Sequence, residues 1–218
     1  MKKKFITTIV IFIIILIFVI LDYYRLIPRK FYNASDFEIE IVYSDVDYNN
    51  NGIDDYTDIL IGAKKEAKNH STYKNAYYSG GYPPEDEGVC TDVIWRSLKE
   101  AGYSLKDLID EDIKNNREAY NITIPDSNID FRRVVNIQVY LKRHTITLTN
   151  NPYEIEEWQP GDIVVFKNHI AIISDKRNHK GIPYIIHNAG QPNREEDTLV
   201  RWYKRKGIIG HYRFKINQ

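Results

Sequence analysis

The chain has 218 residues, of which 43% are hydrophobic and 28% are charged, so it can bury one sizeable core and is too apolar for a disordered chain. Its 30 basic residues balance its 30 acidic residues, but three lysines precede an apolar run that ends at Leu21. The rest of the chain therefore carries 27 basic against 30 acidic side chains. Such a slightly acidic domain lacks the positive surface that nucleic acid requires, and we expect no nucleic-acid partner.

The apolar run Phe5–Leu21 contains no charged residue, and as a helix it would span about 25 Å, the short end of a bilayer crossing. A cleaved signal peptide is the alternative, but the run exceeds the usual apolar region of about 7–15 residues and no small-x-small site follows it. Lysines at positions 2–4 favour an inside location for the N-terminus. We therefore expect a single-pass cell-membrane protein with a cytoplasmic tip (1–4), an anchor (5–21), a linker (22–37) and an extracytoplasmic domain (38–218).

The domain divides into a helical first half and a β-rich second half. Apolar residues at helical spacing, with stop and capping signals, predict helices over about 56–69, 89–101, a stretch after Ser104, and 134–143. The segment 125–133 is polar and expected to be irregular. Short β-rich runs separated by Gly, Pro and Asn follow at 163–166, 170–173, 184–186 and 208–212. This order predicts an α+β fold with an antiparallel sheet.

Cys90 is the only cysteine, so no intrachain disulfide can form. It stands at the first turn of a predicted helix, where the helix dipole lowers a thiol pKa and favours nucleophilic acyl transfer. The alternative is a small buried core residue. Catalysis also needs a base and a group that orients it. His169, which opens a predicted strand, and His187, which ends the neighbouring one, fit these roles, with Asn188 and His211 as rivals for the orienting role.

The order of these motifs resembles the papain-like cysteine peptidase superfamily, in particular its cell-wall NlpC/P60 branch. The matching features are an aromatic-Gly-Gly loop (77–81), Cys90 opening a helix, Pro160-Gly161-Asp162, His169 opening the next strand, and His187 on the strand after it. The resemblance implies a papain-like domain with Cys90 as nucleophile, His169 as base and His187 as orienting residue. It also implies that the Cys90 backbone N–H and the Tyr77 hydroxyl face the oxyanion, that the substrate is a cell-wall peptide, and that catalysis needs no cofactor.

Three further segments resemble the bacterial family called domain of unknown function 1287, which is grouped with these peptidases. They are Gly88–Val93, Asn128–Arg133 and Gly210–Arg213. This resemblance extends nearly to the C-terminus and supplies no known substrate.

A charged cluster, Asp130, Arg132 and Arg133, lies in the segment without periodicity. Binding residues concentrate in such loops, and an arginine can hold a substrate carboxylate through two hydrogen bonds. We therefore expect a substrate-binding role here, with a solvated loop and a structural ion pair as the alternative.

The segment 47–58 fits the twelve-residue calcium loop D-x-[DN]-x-[DN]-G-x5-[DE] and precedes a predicted helix. The expected ligands are oxygens of Asp47, Asn49, Asn51, Ile53 (its carbonyl), Asp55 and Asp58. The alternative is a turn rich in Asp and Asn that caps the helix without an ion. A bound calcium ion would have a structural role.

The sequence thus favours a membrane-anchored cysteine hydrolase that cleaves an amide bond in cell-wall peptide. A calcium-stabilised binding module without turnover, and an acyltransferase that uses the same thiolate, are the two other hypotheses. The scissile bond and the oligomeric state are open at this point.

Overall fold

The computed structural model describes residues 2–24 and 26–215. Met1, Arg25 and residues 216–218 lie outside the described residues, so the start of the predicted tip and one residue of the predicted linker are not covered.

Helix α1, Lys2–Tyr23, carries the apolar run, with a mean hydropathy of 3.1. Its apolar side chains from Phe5 to Ile20 are exposed, and only its last turn, at Tyr23, contacts the domain. The helix is long and apolar enough to cross a membrane, a property that a signal sequence near an N-terminus shares.

The first four helices of the domain follow the predicted order, and the fifth, α6, was not predicted. They are α2 (Asp55–Asn69), α3 (Cys90–Glu100), α4 (Leu105–Asn116), α5 (Val134–His144) and α6 (Leu199–Lys206). Asp54 caps α2, and Ser104 caps α4 by accepting the Asp107 N–H, because the first backbone donors of a helix need acceptors outside it. The segment 125–133 is irregular apart from one 3-10 turn, Asp130–Arg132.

Eight strands within residues 26–215 form two sheets. The strands are β1 (Thr72–Tyr73), β2 (Glu87–Gly88), β3 (Ile146–Thr147), β4 (Ile163–Phe166), β5 (His169–Arg177), β6 (Pro183–Ile186), β7 (Glu195–Glu196) and β8 (Ile208–Arg213). The main sheet is antiparallel with the order β3-β8-β4-β5-β6-β7, and β1 pairs in parallel with β2. The domain is therefore α+β with an antiparallel sheet, as predicted.

Both faces of the main sheet are buried. Successive side chains of a strand point to opposite faces, so Ile163 and Val165 of β4 pack with the cluster of α2–α5, whereas Val164 and Phe166 pack with Trp158 and Leu199. Helix α6 thus covers the face opposite to the main helices, and β5 is the strand against which α3 packs.

Candidate functional site

Cys90 is the first residue of α3, and Asp92 fixes this helix start. The Asp92 carboxylate accepts four hydrogen bonds, from the Val89 N–H (2.7 Å), the Trp95 indole (2.7 Å), and Nε and Nη2 of Arg132 (2.7 and 2.8 Å). The Cys90 thiol is free and nearly buried, with 9% of the residue exposed. The fold therefore holds the thiol in a fixed position at the edge of the core.

Burial raises the pKa of the Cys90 thiol to about 11, and the nearby Asp92 charge acts in the same direction. Backbone hydrogen bonding from Ile170, Thr91 and Cys90 itself lowers this pKa but does not outweigh burial. The helix start therefore does not lower the thiol pKa as expected, because the effect of desolvation is larger. Cys90 packs in the same cluster as Ile170, on the face of β5 that α3 covers, whereas the His169 ring stacks on Trp202 of α6.

His169 and His187 meet in the interior, with His169 Nε2 2.9 Å from His187 Nδ1. Both residues are at most 5% exposed. Burial lowers the pKa of His169 well below its usual value, and interaction with His187 lowers it further. Burial and the charge of Arg194 lower the pKa of His187 to about 3. Both rings are therefore neutral at neutral pH.

Two neutral imidazole rings at this distance form one hydrogen bond, in which one ring donates its N–H and the other accepts. If His169 Nε2–H donates to His187 Nδ1, then His169 Nδ1 carries a lone pair and is free to act as a base. Among the described residues no hydrogen bond joins the Cys90 sulfur to the His169 ring; catalytic contacts of this kind often tighten only when substrate binds.

Trp202 of α6 stacks on the His169 ring, with 4.1 Å between ring centroids and 11° between planes. The side-chain amide of Gln191 lies 3.2 Å from His187 Nε2, and the Glu196 carboxylate lies 3.7 Å from the same nitrogen. These three residues and α6 were not predicted from the sequence. The apolar spacing of Leu199 and Trp202 and the basic turn before Gly207 would have indicated this helix.

The rivals of His187 have other partners. The Asn188 amide donates to the Ser71 and Gly88 carbonyls (3.1 Å each). His211 lies between the Asp162 carboxylate (3.0 Å) and the Thr149 carbonyl (2.9 Å). Of the three residues, only His187 contacts His169.

The predicted substrate-binding residues are mostly occupied by structural contacts. Arg132 is buried, and besides its bidentate pairing with Asp92 it donates to the Ala76 carbonyl (2.9 Å). Asp130 is buried and accepts the Asp126 N–H (2.7 Å). Arg132 therefore forms a structural ion pair, the alternative to the expected substrate clamp, and the expectation of substrate binding by Arg132 and Asp130 was wrong because both side chains are buried in these contacts. Arg133 is the exposed member of the cluster.

The Tyr77 hydroxyl contacts the same loop. It accepts a hydrogen bond from the Asn128 amide (2.9 Å) and lies 3.3 Å from the Asp126 carboxylate. Its partners are therefore the loop residues, so the expected oxyanion contact of Tyr77 does not occur in this conformation.

The segment 47–58, in which calcium ligands were predicted, forms a series of tight turns before α2. Asp47 accepts the N–H groups of Asn51 and Gly52 (3.1 and 2.8 Å), and Gly52 has a φ of +88°. The Asn51 oxygen accepts the Ile53 N–H (2.8 Å). These contacts turn the chain back toward its starting aspartate.

The side chains fit a cation only in part. The amide nitrogens of Asn49 and Asn51 both donate to Asp58 (2.9 Å each), so both amides would have to turn over to offer oxygen to calcium. The Asp55 carboxylate instead accepts the Tyr48 N–H (2.9 Å) and the Tyr103 hydroxyl (2.6 Å). Asp55 as a direct ligand was therefore a wrong expectation, and calcium binding by the other five residues stays a prediction.

Comparison with known proteins gives the family. Residues 60–214 match the family described as "Domain of unknown function (DUF1287)". The chain is also 36% identical over 173 residues to the Escherichia coli (strain K12) protein named "Uncharacterized protein YijF", covering 72% of this chain and 81% of that protein. No solved structure matches the chain. The matched region contains Cys90, His169 and His187, and the chain belongs to the DUF1287 family.

Proposed function

We propose that this protein is a membrane-tethered cysteine hydrolase of the papain-like, NlpC/P60 type that cleaves an amide bond in cell-wall peptide. The observation that carries the proposal is the buried His169–His187 hydrogen bond of 2.9 Å, on a sheet whose strand β5 packs against the helix that Cys90 opens. A histidine whose second nitrogen is held by another side chain is the arrangement that a general base needs.

The reaction begins from neutral groups. His169 Nδ1 takes the thiol proton as the Cys90 sulfur attacks the amide carbonyl, and His187 stabilises the imidazolium that forms by accepting its Nε2–H. The Cys90 backbone N–H, at the start of α3, faces the oxyanion. The imidazolium then protonates the leaving amine, and water activated by His169 hydrolyses the thioester.

Trp202 and Asp92 have positioning roles in this scheme. The Trp202 indole stacked on His169 restricts rotation of the imidazole. The Asp92 carboxylate fixes the Val89 N–H, which sets where the helix that carries Cys90 begins. A misplacement of about 1 Å of a reacting group costs about 100-fold in rate.

The substrate and the location have separate support. Helix α1 can span a membrane. Its N-terminal lysines favour the cytoplasmic side, which places the domain on the outer side of the membrane, where cell-wall peptide is present. The cell-wall substrate class comes from the NlpC/P60 resemblance.

One observation favours a second candidate, a binding module without turnover on the same scaffold. The Cys90 pKa of about 11 and the neutral histidines give no resident thiolate–imidazolium pair. A binding module would keep Cys90 as a core residue and would not need the His169–His187 hydrogen bond.

The test is to incubate the full chain in detergent micelles with peptidoglycan fragments and to identify products by mass spectrometry. We expect Cys90→Ala and His169→Ala to abolish cleavage. His187→Asn should retain activity, because an amide oxygen still accepts the imidazole N–H, whereas His187→Ala should lose much more.

His179→Ala is the matched control, because His179 is an exposed histidine in the turn between β5 and β6. It should cleave like the parent chain. Folded, peptide-binding protein without products would support the binding module, and equal loss in His187→Asn and His187→Ala would remove the orienting role of His187.

A further inference from the structure

Helix α1 meets the domain at one face of α6. The side chains from Phe5 to Ile20 are exposed, so the apolar part of α1 extends away from the domain. At the end of α1, Nη1 of Arg201 donates to the Tyr23 carbonyl (3.1 Å), and the Arg201 guanidinium lies 5.2 Å from the centroid of the Tyr23 ring. The last carbonyls of a helix have no partners within it and attract cations. Arg201 therefore holds α6 beside the end at which α1 leaves the membrane.

The same face of α6 carries two more basic side chains. Residues three and four apart lie on one face of a helix, which places Lys204 and Arg205 on the face of Arg201 and leaves Leu199 on the opposite face. Leu199 is fully buried, whereas Lys204 and Arg205 are exposed. Arg205 also lines, with Tyr23, a cavity of about 340 Å³ at the junction of the two helices. Arg201, Lys204 and Arg205 form what is called here the basic face of α6.

The basic face keeps its positive charge. Helix α6 has four basic residues and no acidic one, and Lys204 and Arg205 make no ion pair in the part of the chain that the structure describes. Of the acidic residues just before α6, Glu196 is buried and Asp197 faces Arg29 at 3.9 Å. The domain as a whole is slightly acidic, with 27 basic and 30 acidic residues after the apolar run. A local positive surface of this kind attracts an anionic partner.

Exposed aromatic side chains show the level of the membrane at which this face lies. Tyr23 and Tyr24 are 56% and 47% exposed, and their rings pack edge to face with 5.2 Å between centroids. Tyrosine prefers the headgroup region at the ends of a membrane helix. Because Arg201 contacts Tyr23 directly, the basic face lies at the level of the headgroups when α1 is in a membrane.

We propose that the basic face of α6 binds the anionic phospholipid headgroups of the membrane that α1 crosses. The inference goes beyond the proposed hydrolase function and does not depend on it. Helix α6 covers one face of the main sheet, and helices α2–α5 cover the other. Docking through α6 therefore holds the domain with α2–α5 on the side away from the membrane.

The experiment measures amide hydrogen exchange by mass spectrometry, with the full chain in lipid nanodiscs. Discs of phosphatidylcholine alone are compared with discs that also contain phosphatidylglycerol. A docked α6 opens less often, so we expect its amides to exchange about tenfold more slowly in the anionic discs. About 0.5 M salt should remove this difference, because it screens exposed charges. Exchange in α3, which packs on the other face of the sheet, should be the same in both discs.

A pair of double variants tests the basic face itself. Lys204→Gln/Arg205→Gln should restore most of the fast exchange in α6, because two basic residues near an anionic surface together contribute about 25-fold to docking. Lys114→Gln/Lys142→Gln is the matched control. It removes the same charge from exposed positions on α4 and α5, across the sheet, and α6 should then exchange as in the parent chain.

Equal exchange of α6 in the two kinds of disc would overturn the proposal, as would an equal loss of protection in the two double variants. Protection that needs two chains in one disc, and that develops in phosphatidylcholine as well, would assign the basic face to a second copy of the chain and reject the lipid. Peptide cleavage is measured separately, so its absence would reject the hydrolase and leave the membrane contact standing.

Discussion

The buried ion pair between Arg132 and Asp92 predicts a structural role for an arginine that the sequence had suggested as a substrate-binding residue, and a stability measurement separates the two roles. Both side chains are at most 1% exposed. Replacing Arg132 with methionine keeps most of the volume but removes two of the four hydrogen bonds to Asp92 and leaves its charge buried. Breaking one partner of a buried pair costs about 3–5 kcal/mol of unfolding free energy.

For a chain of this size 1 kcal/mol corresponds to about 2–4 °C in Tm, so we expect Arg132→Met to lower Tm by roughly 6–20 °C. The assay is thermal and urea unfolding of the full chain in micelles. Arg133→Met is the matched control: its side chain is 55% exposed, its nearest carboxylate is Asp130 at 3.8 Å, and exposed pairs contribute about 0–1 kcal/mol.

A second variant separates the buried charge from a general packing defect. Adding Asp92→Asn to Arg132→Met removes the uncompensated charge, and part of the stability should return. The reasoning is refuted if Arg132→Met is as stable as Arg133→Met and instead raises KM for a carboxylate-bearing peptide. That result would restore Arg132 as a substrate clamp.

Three further predictions concern the thiol, the loop and the histidines. Because the pKa of Cys90 is about 11 rather than 9.0, iodoacetamide should label it at pH 7.5 about 100-fold more slowly in the folded chain than in urea; equal rates would contradict burial of the thiol. Millimolar calcium should raise Tm relative to chelator, because free calcium at 100-fold above Kd adds about 2.7 kcal/mol to the unfolding free energy. The shift in Tm should vanish in Asp47→Ala/Asp58→Ala; an equal shift in that variant would reject this loop as the site. The folded chain binds fewer protons at His187 than the unfolded chain between pH 6.5 and about 3. The contribution of His187 to the unfolding free energy should therefore be fully present above pH 6.5 and fall in acid by up to about 1.4 kcal/mol per pH unit. Urea unfolding measured against pH should show a shallower fall for His187→Asn, and an unchanged slope would count against a neutral His187.

Local sequence determined the regular elements and the order of the chemical groups. The spacing of Ile94 and Leu98 indicates α3, and the β-rich runs indicate the four longer strands, because each pattern depends on neighbours within one or two turns or a few strand residues. The start of α3 at Cys90 and of β5 at His169 was readable for the same reason. Helix α6 was missed because it has only eight residues, four of them basic, so its apolar positions Leu199 and Trp202 give a short pattern that is easily overlooked.

Tertiary structure decided what these groups do. Asp92 and Arg132 are 40 positions apart, and Asp162 and His211 are 49 apart. No local sequence pattern shows that the two members of each pair are hydrogen-bonded to each other. The protonation state of Cys90 was decided in the same way: the helix start is visible in the sequence, but the packing of α3 on β5 that desolvates the thiol is not. Desolvation and long-range pairing depend on which distant segments meet, and only the folded chain fixes that.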